Sequence, residues 1–355
     1  MLNFESNFRF LICIFHIFAT NIIIMEKQAL RIQTFDILKA IAILAVVYTH
    51  CLQFMGIGFY WHHPIFKFTY AFHMPLFMLV SGYFANRALH LPFKELIKKK
   101  SIQLLLPCLT AGVVVIVINR LIGWNPKHAG VMEFVKNLWY LKSLFFCFCI
   151  GKIAMTLGKG KTWPTIGIGL LMAFPIHLYH INFMMPFFWM GFLWSKHPEI
   201  IRRHAWSILI ASAIAFGLLW PFWDGLHTTY VTPLQLIKIH KMEWMGFGHL
   251  LSYCLRTGIG IAGIGIMVGG VLLLEKQKMT FNKLCKVGQY TLELYTLHFL
   301  FINTGLMEAC SIPYRWGWYE VGYCGVATLL LLAICFVLIR LIHRSKWLTL
   351  LFFGK

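Results

Sequence analysis

The chain has 355 residues, 59% of them hydrophobic and only 12% charged, where a soluble domain carries about 25% charged residues. Its formal net charge of +20 lies in short segments between apolar runs, with no basic soluble domain to bind nucleic acid. Ten cysteines sit mostly inside apolar runs and form no Cys-x-x-Cys pair, which argues against a zinc site or a disulfide framework, so no metal is expected.

Residues 1–24 form an apolar but short N-terminal extension with His16 and Asn21 inside it. It reads as an extra helix, a signal-like segment or a mis-called start ahead of Met25. Residues 25–355 read as a single membrane domain. Ten apolar segments follow in it, at 36–54, 65–85, 101–122, 137–157, 163–180, 182–195, 206–222, 249–274, 287–305 and 320–342. Runs near 20 apolar residues cross roughly 30 Å of hydrocarbon as helices. The expected fold is therefore all-α, a polytopic transmembrane helix bundle of about ten spans with membrane lipid as its solvent. The fifth and sixth segments are joined by almost nothing, and the sixth is short. They form a tight hairpin or a pair that does not fully cross.

Basic residues alternate from loop to loop. With the segment around Arg31 placed in the cytosol, the inner segments hold 19 Lys and Arg and the outer loops 5. That asymmetry puts both ends of the ten-span unit inside.

An ionisable residue inside a span costs on the order of 3 kcal/mol and is a functional candidate by default. In the first span, Asp36 and Lys39 lie one turn apart at the inner end, and His50 follows Lys39 by eleven residues. Three turns separate them, so Lys39 and His50 share a face, with His50 roughly 16 Å further along the axis. Asp36 and Lys39 also read as a plain interfacial ion pair, but that leaves His50 unexplained. In the second span His73 reaches a similar depth from the other side. Pro75 follows it and kinks the helix or frees a carbonyl, so His73 reads either as half of a polar pocket with His50 or as a cap on freed carbonyls. Ser81 and Gly82 read as helix-packing residues. In the ninth span Glu293 is about two turns in, while Tyr295 and His298 share a deeper face. Glu293 points away from His298 and needs a partner, from a cation of the first span or from a ligand. Arg256 and Lys142 each lie near the outer end of a span, where either snorkels to the interface. The glycines after Arg256 read as packing residues.

These residues, in this order, resemble the acyltransferase-3 family of integral membrane O-acyltransferases, which includes fucose 4-O-acetylase-like proteins. Lys39 and His50, with ten residues between them, resemble its first-helix signature. His73-Met74-Pro75-Leu76-Phe77 and Ser81-Gly82-Tyr83-Phe84 resemble its second-helix motif. Lys100 to Pro107, Leu138-Trp139-Tyr140-Leu141 and Thr291 to His298 are similar to later ones. Two positions depart: the family commonly has Arg where this chain has Lys39, and often where it has Gln103. Arg grips phosphate through two parallel hydrogen bonds and Lys acts as a point charge, which leaves open which side chains hold the donor's phosphates.

The resemblance implies an acyl-CoA donor, most often acetyl-CoA, presented from the cytosol of a bacterial cytoplasmic membrane. Its phosphates are expected near Asp36, Lys39, Arg31, Lys98, Lys99 and Lys100. The implied catalytic group is His50, as general base or acyl-accepting nucleophile, with His73, Glu293, Tyr295 and His298 around it. Arg256, Trp139 and Lys142 are the outer-pocket residues. The implied acceptor is a hydroxyl of a glycan or lipid-linked saccharide at the outer face. Whether the acyl group is acetyl or longer, and whether the chain forms a homo-oligomer, stay open. A proton-coupled transporter or flippase also places His, Glu and Arg in spans, but it usually shows related halves and broken helices. A sensor or scaffold would be indifferent to His50, His73 and Glu293.

Overall fold

The computed structural model describes residues 33–55, 60–123, 138–176, 178–223, 245–277, 279, 281–311 and 318–355, without the side chains of 61, 245–250 and 318–320. Among these residues the regular structure is helical, with no strand. That is the expected outcome for long apolar runs, because a helix satisfies every backbone polar group internally. The extension at 1–24, Arg31 and most of the long loop after Trp223 lie outside the described residues.

Helix α1 spans Gln33–Met55. It is followed by α2 (Pro64–Tyr83), α3 (Ala85–Leu89), α4 (Phe93–Lys100), a π-helical turn over Ser101–Leu105, and α5 (Leu106–Leu121). Next come α6 (Trp139–Leu157), α7 (Thr162–Ala173), α8 (Ile181–Lys196), α9 (Pro198–Arg203) and α10 (Ala205–Leu219). The last group is α11 (Met245–Lys276), α12 (Asn282–Gln289), α13 (Thr291–Asn303), α14 (Leu306–Ala309), α15 (Trp318–Ile342) and α16 (Lys346–Phe353).

A helix stands at each of the ten apolar segments, but among the described residues six helical stretches are long and apolar enough to cross a membrane. They are Gln33–Met55, Phe93–Leu121, Trp139–Leu157, Ala205–Phe222, Leu251–Lys276 and Val321–Ile342. The other segments differ for visible reasons. Helix α2 has the length but carries Lys67 and His73. Helices α7, α8 and α13 have only 12, 16 and 13 residues. The ninth segment also breaks at Tyr290, between α12 and α13. Two of the long helices turn outward: 11% of Ala205–Phe222 and 28% of Val321–Ile342 is buried. Their Ile214, Leu218, Leu329 and Leu330 are exposed, as suits a lipid-facing surface.

The inner bundle is built on close approach. A Cβ at Gly82 would lie 1.9 Å from the Phe188 carbonyl oxygen, and one at Gly191 would lie 1.8 Å from that of Leu79. Helices α2 and α8 therefore touch backbone to backbone through reciprocal glycines. This fixes α2, and with it the azimuth of His73 and Ser81, against an immobile neighbour. Helix α6 starts from Leu138, a buried non-glycine residue in left-handed backbone with φ +41°. Tyr179 and His180 are left-handed too, at φ +51° and +58°. The His180 ring packs edge-on against Trp139, 4.8 Å between centroids. Such backbone costs on the order of 1–3 kcal/mol per residue and persists only where its surroundings hold it. Here it shapes the first turn of α6, which carries Trp139, Tyr140 and Lys142.

Candidate active site

The three histidines of the spans meet in one place. A cavity of about 240 Å³ is lined by His50 and Gln53 of α1, Tyr70 and His73 of α2, Trp139 of α6, Arg256 of α11, and Tyr295, His298 and Asn303 of α13. His50 is half-buried, while His73 and His298 are fully buried. His50 Nδ1 lies 3.2 Å from His298 Nε2, with the rings stacked at 5.2 Å.

The hydrogen bonds fix the tautomers of neutral rings. His298 Nδ1 is 2.9 Å from the Leu294 carbonyl oxygen, which accepts only, so that nitrogen carries the proton. Nε2 of His298 is then an acceptor, and His50 Nδ1–H donates to it. His50 Nε2 is left with its lone pair, as a general base or nucleophile requires. His73 donates through Nδ1 to its own helix at the Thr69 carbonyl, 2.6 Å away. It therefore does not cap the carbonyl of Ala71, the one that Pro75 frees. Its Nε2 also keeps a lone pair.

Arg256 does not snorkel away. Its guanidinium lies over Phe183 at 4.3 Å and near Tyr70 at 5.8 Å, in the cavity wall. Trp139 shares that wall. Lys142 departs from the expected outer-pocket set. Its side chain is buried, its ammonium is 5.4 Å from the Tyr179 ring, and it lines a separate apolar groove with Cys108 and Phe146. Trp223 is buried and donates to the Lys67 carbonyl at 2.9 Å.

A second cavity, of about 250 Å³, opens at the Lys39 end of α1. Lys39, Phe77, Ser81, Tyr140, Gln289, Glu293, Tyr295 and Lys355 line it. Lys39 pairs with Asp36 at 2.6 Å, and Gln289 donates to the other Asp36 oxygen at 3.3 Å. The remaining expected donor lysines do not gather here. Lys98 and Lys99 are exposed on α4. Lys100 lies over the Phe148 ring at 4.1 Å and donates to Gln103 Oε1 at 3.1 Å.

Glu293 finds its charged partner outside α1. Its Oε1 pairs with Lys355 at 2.5 Å, with His343 Nε2 at 3.9 Å. Lys355, His343, Gln53, Tyr70 and Asn303 are site residues that sequence reasoning missed. The only signal for Lys355 was the need of a buried carboxylate for a cation.

Tyr295 belongs to both cavities. Its ring packs edge-on against Tyr140 at 5.9 Å and tilted against His298 at 5.5 Å. Tyr140 in turn shares a hydrogen bond with Ser81, 3.1 Å between hydroxyls. A chain of polar groups thus runs from Ser81 through Tyr140, Tyr295 and His298 to His50. Among the described residues no three His, Cys, Asp or Glu side chains are placed to hold one metal ion.

The family profile described as an acyltransferase domain matches residues 32–340. Nodulation protein NolL of Mesorhizobium japonicum is 28% identical over 230 residues, 58% of this chain and 59% of that protein. Nodulation protein NolL of Sinorhizobium fredii is 30% identical over 228 residues, 59% of this chain and 62% of that protein. The chain thus spans about three fifths of the length of these curated relatives. No solved structure matches it.

Proposed function

The chain belongs to the acyltransferase-3 family, and from that premise we propose that it moves an acyl group from a cytosolic acyl-CoA, acetyl-CoA in the simplest case, to a hydroxyl of a glycan or lipid-linked saccharide at the outer face. It does so as a bundle of about ten spans in a bacterial cytoplasmic membrane, with both ends of the ten-span unit inside. The observation that carries this reading is the pair of cavities meeting at Tyr295, one reached past Lys39 and the other holding His50.

In this reading the donor's phosphates stay at the basic Lys39 end and its arm enters the first cavity. The acceptor sits in the second, between Trp139 and Arg256. His50 Nε2 takes the proton of the acceptor hydroxyl as that oxygen attacks the thioester carbonyl. His298 holds the ring and shares the charge that His50 gains. The Arg256 guanidinium and the Tyr295 hydroxyl are placed to stabilise the oxyanion, which is often the largest catalytic effect. The proton then passes from His50 to the departing thiolate, so the histidine is restored.

Transfer of label from acetyl-CoA in vesicles holding the purified protein and a saccharide acceptor tests this. Loss of transfer in a folded His50→Ala variant is the expected result. Full activity there would refute the assignment, and solute flux without transfer would favour a transporter.

A further inference from the structure

Glu293 is 1% exposed, and a buried carboxylate is stable only when its oxygens find partners. Oε1 has Lys355 and His343, but Oε2 has no hydrogen-bond partner, at the wall of the cavity reached past Lys39. Lys355 is brought there by a specific turn. Gly354 adopts φ +64°, and a Cβ on it would stand 2.3 Å from the Ile102 carbonyl oxygen. Only glycine turns the chain after α16 back into the bundle at that point. The ammonium thereby anchors one carboxylate oxygen and leaves the other for a visitor that brings a hydrogen.

The rest of this wall carries Phe77, Leu104, Leu141, Leu144 and Leu292, with hydroxyl donors at Ser81, Tyr140, Thr291 and Tyr295 and with Lys39 and Gln289 beside them. An acceptor oxygen and hydroxyl donors set in apolar walls suit a slim chain with secondary amides, whose N–H needs an acceptor and whose C=O needs a donor. We propose that this cavity grips an amide of the acyl donor's pantetheine arm, with Glu293 Oε2 accepting the amide N–H and Lys355 acting as the positioning residue for the carboxylate. The proposal rests on the donor reading above and adds to it which residues hold the arm.

The test is equilibrium binding to the full chain in lipid nanodiscs, with two probes. Coenzyme A carries both nucleotide and arm, and adenosine 3′,5′-bisphosphate carries the nucleotide without the arm. In Glu293→Gln the carboxamide gives its oxygen to Lys355 and turns an N–H toward the ligand's N–H. Coenzyme A should then bind about tenfold or more weakly, the scale of a lost hydrogen bond to a charged group, while the bisphosphate binds unchanged. Lys355→Met should show the same split, and Lys355→Arg should restore it. A coenzyme A analogue with an ester oxygen in place of the amide nitrogen should weaken equally on the unaltered protein, where folding is not in question. Unchanged binding of that analogue, or a parallel loss of both probes in Glu293→Gln, would overturn the proposal. Failure of the unaltered protein to bind either probe would instead remove the donor reading itself, and this inference with it.

Discussion

His50 donates through Nδ1 to Nε2 of His298, 3.2 Å away, and His298 is itself anchored to the Leu294 carbonyl of its own helix. The second ring is therefore fixed before the first is, and Nε2 of His50, the proposed base, is oriented by a residue 248 positions away. The two should fail differently. His50→Ala should lower kcat for acyl transfer by about 10²–10⁴-fold, the usual worth of a general base. His298→Ala keeps the base and loses its aim, which should lower kcat by up to roughly 10²-fold. Single-turnover transfer at saturating donor and acceptor distinguishes them, and equal losses would mean that the pair acts as one unit.

Tyr295 is the side chain common to both cavities. Tyr295→Ala should join them and let water reach the thioester. The ratio of donor hydrolysis to transfer, followed as free thiol released against labelled product, should rise several-fold. An unchanged ratio would show that other groups keep water out.

Trp139 and Arg256 face the histidine cavity and not the one at Lys39. Arg256→Gln and Trp139→Ala should therefore raise KM for the acceptor about tenfold and leave KM for the donor within a factor of two or so. Initial rates with each substrate varied in turn measure this. A matching rise in donor KM would place these side chains elsewhere in the cycle.

Gly191→Ala pushes a methyl group to 1.8 Å from the Leu79 carbonyl oxygen. Helices α2 and α8 must separate, at a cost of about 1–3 kcal/mol for overpacking, and the thermal midpoint in detergent should fall. Gly325→Ala, where nothing stands within 4 Å, is the control. It should be neutral or stabilising by up to about 1 kcal/mol through helix propensity.

The segments and the histidines were legible in the sequence because lipid imposes strict terms: apolar runs must be helical, and a polar residue in them must have a reason. Helical geometry along α1 also placed Lys39 and His50 on one face, and each lines a cavity. Other features were not readable. The partner of Glu293 arrives from 62 positions on, through a glycine turn that only the packing against Ile102 explains. Lys142 looked equivalent to Trp139 because both begin α6, yet the Tyr179 ring draws the Lys142 ammonium into a different cavity. Lys100 lies in a run of three lysines, and the neighbouring Phe148 ring, brought near by α6, takes its ammonium away from the expected cluster. The short helices α8 and α13 are apolar enough in composition, but they begin at backbone turns at His180 and Tyr290, which leave no mark in hydropathy.

The carbonyl–glycine contacts between α2 and α8 bear on what this scaffold can give up. Where the two helices meet main chain to main chain, at Gly82 and Gly191, there is no side chain to repack, so the seam cannot slide there without coming apart. Any motion that admits an acceptor must then come from elements outside it, with α2 as the fixed jaw and the helices carrying Arg256 and Trp139 as the moving ones. Variation that adapts the cavity to new acceptors should accordingly collect on those helices and spare the seam.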